Sequence, residues 1–220
     1  LPKVTIESWA ISCLMLGLTF GKKLIISMCQ NSETWHKRFQ VQASWTASIR
    51  SYLYSKAELN TSHRILEVGS GTGVILKDFQ DIPQVQVFGL DISYDFIKIS
   101  KVNRFVHVIC GDVNKMPYPR ATFDITICHY FLLWVDAQEA LNAMIKVTRP
   151  GGYVIALAEP DYRDRIDYPP ELELFGDLQT SSLIKSGANP IMGRLLPSLF
   201  HSSGLCEITT GIIGAEWSAP

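Results

Sequence analysis

The sequence predicts an α/β fold, a doubly wound, mostly parallel sheet with helices on both faces. Short apolar runs recur along the chain, separated by helix-length connections, and that alternation is the pattern of a parallel sheet. The stretch Arg64 to Leu76, R-I-L-E-V-G-S-G-T-G-V-I-L, ends its first run in three glycines, Gly69, Gly71 and Gly73. The next two runs end in or just before acids, Asp91 and Asp112. Sheets of this kind bind ligands beyond the carboxyl ends of their strands, near the point where strand order reverses.

The amino-terminal stretch is the least typical. Residues 9–20 are almost wholly apolar, yet too few to span a bilayer, which needs roughly 20 apolar residues. The pair Lys22-Lys23 follows the run, whereas a signal peptide places its positive charge first. The chain opens at Leu1, and Met28 offers an initiator. The expectation is therefore an extension over 1–27 that belongs to no fold, with a membrane anchor as the alternative. A single domain then runs over 28–220, truncated at its carboxyl end.

From Ser32 to Ser55 the pattern is helical, with Trp35, Phe39, Gln42, Thr46, Ile49 and Leu53 on one face. Ile65, Leu66 and Val68 form the first strand, and an apolar helical pattern resumes at Val74. Residues 85–91 form the second strand. Ser93 caps a helix that buries Phe96, Ile97 and Ile99. Strands follow over 106–110 and 123–129. Asp136 and Glu139 give a capping-box-like start to a helix over Ala137–Thr148, and Arg149-Pro150-Gly151-Gly152 stops it. A fifth strand is expected over Tyr153–Ala158, helices over Leu172–Ile184 and Ile191–His201, and a sixth strand over Cys206–Ile213.

Composition narrows the function. Lys plus Arg number 20 and Asp plus Glu 21, a balance that argues against a nucleic-acid-binding face. The five cysteines are scattered, without C-x-x-C. That supports neither a zinc site nor a disulfide framework and fits a reduced, cytoplasmic compartment. Cys110 and Cys128 lie in apolar runs and read as small buried hydrophobes.

The strand-end residues are expected to converge on one crevice. Glycines at 69, 71 and 73 let a ligand approach the backbone. Their spacing is G-x-G-x-G, with Val74 where a dinucleotide fingerprint has its third glycine. Asp91 stands where a carboxylate accepts hydrogen bonds from two ribose hydroxyls, and Ile92 can pack on an adenine. Asp112 can accept from an exocyclic amino group, with the Val113 backbone reaching the ring. Glu67, an acid inside a buried strand, needs a partner, either the loop amides or a cationic amino group.

The run E-V-G-S-G-T-G at 67–73 resembles the first motif of class I S-adenosylmethionine-dependent methyltransferases. The resemblance continues through G-L-D-I-S (89–93), G-D-V-N-K-M-P-Y (111–118), F-D-I-T-I-C-H (123–129) and V-T-R-P-G-G (147–152). It covers about residues 65–160 and is nearest to the small-molecule branch that includes ubiquinone/menaquinone-biosynthesis-like members. It implies a Rossmann-like sheet closed by a final antiparallel strand, which this chain is expected to lack. It also implies S-adenosylmethionine binding at Glu67, Gly69, Ser70, Gly71, Gly73, Asp91, Ile92, Gly111, Asp112, Val113 and His129.

A sulfonium methyl is already activated, so the protein mainly aligns an acceptor in line behind it and excludes water. No catalytic base is assigned. His129 is the first candidate by location, followed by Glu159, Asp161 and Tyr162. For the acceptor, Arg38, Tyr130, Trp134, Glu159, Tyr162 and Tyr168, with Arg163 and Arg165, suggest a mixed aromatic and charged pocket. No metal, nucleic acid or membrane partner is expected. The alternatives are an inactive cofactor-binding scaffold and, less favoured by the glycine spacing, a nucleotide-dependent oxidoreductase.

Overall fold

A computed structural model describes residues 32–57, 59, 63–102 and 107–212; the expectation for 1–27 lies outside them. The chain forms α1 (Ser32–Trp45), α2 (Ala47–Lys56), β1 (Arg64–Val68), β2 (Gln86–Asp91), α3 (Tyr94–Val102) and β3 (Val108–Cys110). It continues with β4 (Phe123–His129), α4 (Ala137–Val147), β5 (Thr148–Leu157), α5 (Glu173–Lys185) and α6 (Met192–Ser202). The sheet order is β3-β2-β1-β4-β5, and every pairing is parallel.

Order reverses at β1, which pairs β2 on one side and β4 on the other. Val68 stands opposite Leu90 and Cys128, so the carboxyl ends of the three strands finish level with one another. That register brings Gly69, Asp91 and His129 to one rim.

Strand side chains alternate between faces. Leu66, Val68, Leu90 and Cys128 face α4 and α6 and pack on Ala140, Leu141, Met144, Met192 and Phe200. Ile65, Ile125 and Ile127 face the other way, onto Ala43, Tyr54, Ile75 and Phe79. Both faces are covered, and each strand run reads as continuous apolar sequence for that reason. Glu67 and His129 belong by the same alternation to the α1–α2 face.

Five expectations change. The helix over 32–55 breaks at Thr46, which is 2% exposed and returns its hydroxyl toward the Gln42 and Ala43 carbonyls. Thr46 leaves the helical region there at ψ 6°, and a β-branched residue is a weaker helix former. After the glycines, Ile75–Phe79 is only a 3₁₀ turn. Pro83, whose ring would collide with the Phe79 carbonyl in a continued helix, bars extension. Strand β5 begins at Thr148, with Arg149–Gly152 absorbed as an irregularity opposite Phe123–Ile125 and Gly151 at φ 75°. Finally, residues 206–212 form no strand and are exposed, with Glu207 at φ 54° interrupting any extended run. Cys110 is exposed as well, while Cys128 is buried.

Candidate active site

A cavity of about 430 Å³ opens over the carboxyl ends of β1, β2 and β4. The glycine turn forms its floor. Gly69 and Gly71 lie at φ 71° and 52°, and both their amides are used: Gly69 N–H donates to the Leu90 carbonyl and Gly71 N–H to Asp91 Oδ2. A Cβ on Gly69 would run into the Phe131 ring, and one on Gly71 would meet Phe39 at 3.2 Å. The floor is thus roofed by two aromatic rings. Gly73 closes the turn through its N–H to the Ser70 carbonyl (2.8 Å) and does not reach the cavity wall.

Three carboxylates line the cavity. Asp91 accepts from Gly71 N–H (2.7 Å) on one oxygen and Ser93 N–H (2.8 Å) on the other. Each oxygen keeps a lone-pair direction free for a ligand hydroxyl. Burial raises its pKa against those two bonds. Asp112 accepts from Asn114 N–H at 2.9 Å and caps the short turn Val113–Lys115. Glu67 is 2% exposed, and its Oε2 has no hydrogen-bond partner in the protein. Burial, then Asp78 and Asp91, push its pKa well up, while Arg50 opposes. An orphaned buried carboxylate beside an open glycine turn fits a ligand bearing a cationic amino group.

Ile92, Gly111, Val113 and Ser70 also line the cavity, as do Tyr130 and Trp134. His129 lines it too, half-buried, with Nε2 3.0 Å from Thr46 Oγ1. Burial and the Arg50 charge lower its pKa to about 3, so it is a poor proton acceptor and does not suit the role of general base.

Six expected acceptor-pocket residues lie elsewhere. Arg38 sits over the Trp35 ring at 4.9 Å, and Tyr168 is 83% exposed. Tyr162 hangs its N–H on the Pro190 carbonyl, away from the cavity wall. Arg165 is paired with Asp167 at the surface, and Arg163 is exposed. Glu159 is buried for a different purpose: it accepts N–H bonds from Phe131 and Leu132 (2.8 Å each) and Leu133 (3.1 Å). It therefore holds the turn after β4, and burial outweighs those bonds to raise its pKa to about 7. The expected mixed aromatic and charged pocket is instead aromatic, because Arg165 is held by Asp167 and Arg163 is exposed.

Phe131, Val135 and Ser186 enter the wall without a sequence signal of their own. Only its closeness to Gly69 marks Phe131. Among the described residues no group of His, Cys, Asp and Glu could hold a metal ion, and no helix is long and apolar enough to cross a membrane.

A parallel five-stranded sheet with a glycine turn and strand-end carboxylates at its switch point defines a nucleoside-binding α/β domain. Residues 66–156 match the family described as "Methyltransferase domain". An uncharacterized methyltransferase of Schizosaccharomyces pombe is 31% identical over 70% of this chain and 60% of its own length. A demethylmenaquinone methyltransferase of Deinococcus radiodurans is 28% identical over 56% of this chain and 50% of its own. Among solved structures, an S-adenosylmethionine-dependent methyltransferase from Thermotoga maritima superposes with a TM-score of 0.60 at 21% identity, covering 80% of this chain and 79% of its own. A phosphoethanolamine N-methyltransferase of Haemonchus contortus, solved with S-adenosylhomocysteine, gives 0.56 at 14% identity, over 74% and 37%. Residues 66–156 therefore carry a methyltransferase domain, and the fold and relatives of the chain are those of class I S-adenosylmethionine-dependent methyltransferases. The chain spans 60% or less of the length of the curated relatives named here.

Proposed function

We propose that this chain transfers the methyl group of S-adenosylmethionine to a neutral, mainly apolar aromatic small molecule. The observation that carries the reading is the composition of the cavity wall. Beyond its three acids the lining is mainly apolar and aromatic and includes Phe39, Phe96, Tyr130, Phe131 and Trp134. No Lys or Arg among the described residues lines it. A carboxylate or phosphate on the acceptor would have no Lys or Arg of this wall to meet.

The donor, when bound, supplies an activated methyl. The protein's part is to bind and orient. Asp91 is suited to ribose hydroxyls through its two free lone-pair directions, Asp112 to the adenine amino group, and Glu67 to the amino end of the methionine portion. Phe39 and Phe131 exclude water above the glycines. Alignment of this kind contributes about 7–11 kcal/mol in favourable systems, so no strong base is required for an acceptor carbon rich in electron density. Demethylmenaquinone methyltransferases among the relatives support that acceptor class.

The test is labelled-methyl transfer to 1,4-naphthoquinol, kept reduced under anaerobic conditions, against phosphoethanolamine. The quinol is expected to take label and phosphoethanolamine none; preferential labelling of phosphoethanolamine overturns the reading.

A further inference from the structure

His129 ends β4 on the face covered by α1 and α2, and Thr46 stands at the break between those helices. The contact joins residues 83 positions apart. Thr46 is buried and lines no part of the cavity, so its hydroxyl acts only within the protein. Arg50, 5% exposed, donates from Nη1 to Thr46 Oγ1 at 2.6 Å and also to the Ala43 carbonyl. Its Nε and Nη2 are taken by Asp78. The guanidinium is therefore fixed and can only donate.

That fixes the direction of the next bond. The Thr46 oxygen accepts from Arg50, so its own proton must find an acceptor. The Ala43 carbonyl (3.3 Å) already receives Arg50, and the Gln42 carbonyl is farther, at 3.4 Å. His129 Nε2, at 3.0 Å, is nearest. A ring nitrogen that accepts carries no proton, and a neutral imidazole then holds its hydrogen on the other nitrogen. Nδ1 makes no hydrogen bond to a described residue. Burial beside a fixed guanidinium keeps the ring neutral.

We propose that Thr46, held by Arg50, is a positioning residue that fixes His129 as the Nδ1–H tautomer, so that the ring offers the methyl acceptor a hydrogen-bond donor and not a base. The donor meets an oxygen of the acceptor and sets its register. The sulfonium–methyl bond breaks as the methyl–carbon bond forms, S-adenosylhomocysteine leaves, and the proton lost from that carbon goes to solvent and not to His129. The role toward an acceptor rests on the proposed function; the tautomer does not.

Long-range proton–nitrogen correlation spectra of the nitrogen-15-labelled full chain test this, with His129→Gln assigning the ring. The expected wild-type spectrum shows His129 protonated at Nδ1. Thr46→Val, which keeps the shape and removes the hydroxyl, moves His129 toward the Nε2–H form, and Thr46→Ser restores it. Both variants bind S-adenosylhomocysteine within about twofold of wild type, since Thr46 does not reach the cavity. An Nε2–H ring in the wild type, or unchanged shifts in Thr46→Val, overturns the proposal. The wild-type spectrum decides the tautomer whether or not a variant folds. A chain with the expected tautomer that binds no S-adenosylhomocysteine refutes the methyltransferase reading and leaves the Thr46–His129 assignment intact.

Discussion

At the scale of single residues, Glu67 shows how the fold gives up stability to hold a site. Its carboxyl is buried, one oxygen is unpaired, and burial together with two nearby acids raises its pKa. For a group whose folded-state pKa is raised, stability is complete below the unfolded value and is lost as pH climbs through the folded one. A bound ammonium reverses the preference and favours the ionised form. Two results follow for Glu67→Gln. The variant melts at a higher temperature than wild type at pH 8 and equally at pH 5. It also binds S-adenosylhomocysteine about tenfold or more weakly, and without the proton release expected of wild type. Thermal melts, and calorimetry in two buffers of different ionisation enthalpy, measure both. Identical proton counts in the two proteins would remove Glu67 from the site.

At the scale of elements, the turn after β4 depends on one distant carboxylate. Three successive amides, from Phe131 to Leu133, converge on Glu159 at the end of β5. The arrangement caps the 3₁₀ turn Leu132–Trp134 with negative charge at its amino end. It also holds Phe131 over Gly69. Glu159→Ala leaves those amides without their acceptor, each worth about 1–3 kcal/mol when buried. The expected outcome is a loss of about 3 kcal/mol or more in urea unfolding, with weaker S-adenosylhomocysteine binding. Tyr168→Ala, at an exposed position, changes neither. A Glu159→Ala protein as stable as wild type would contradict this role. The wild-type contribution is also pH-dependent: with its pKa raised from 4.5 to about 7, Glu159 costs stability as pH rises between those values.

The same contacts explain what could be read from sequence. The glycine turn, the five strands and the Asp136 cap are local patterns, and each lies in a few consecutive residues. Glu139 N–H does donate to Asp136 Oδ1 at 3.0 Å. What sequence did not reveal depends on partners far along the chain: Thr46 with His129, Glu159 with the turn after β4, and Phe131 against Gly69. Acceptor-pocket residues were expected from type and position after β5, where Arg165 instead pairs with Asp167 and Arg163 lies exposed. The strand expected over 206–213 had the right β-branched residues, but across 206–212 they find no partner strand.

At the scale of the whole molecule, sheet order does the assembling. Because β1 lies between β2 and β4, three carboxyl ends finish together, and residues from 67 to 134 meet around one hollow. The account stands or falls on whether that hollow takes an adenosine-bearing ligand through Asp91. Calorimetric titration of the chain and its Asp91→Ala variant with S-adenosylhomocysteine is the direct measurement. One-site saturable binding by the wild type, lost or weakened at least about tenfold in the variant, is the predicted result. Equal affinity in the two proteins, or saturable binding of NAD in place of S-adenosylhomocysteine, would contradict it.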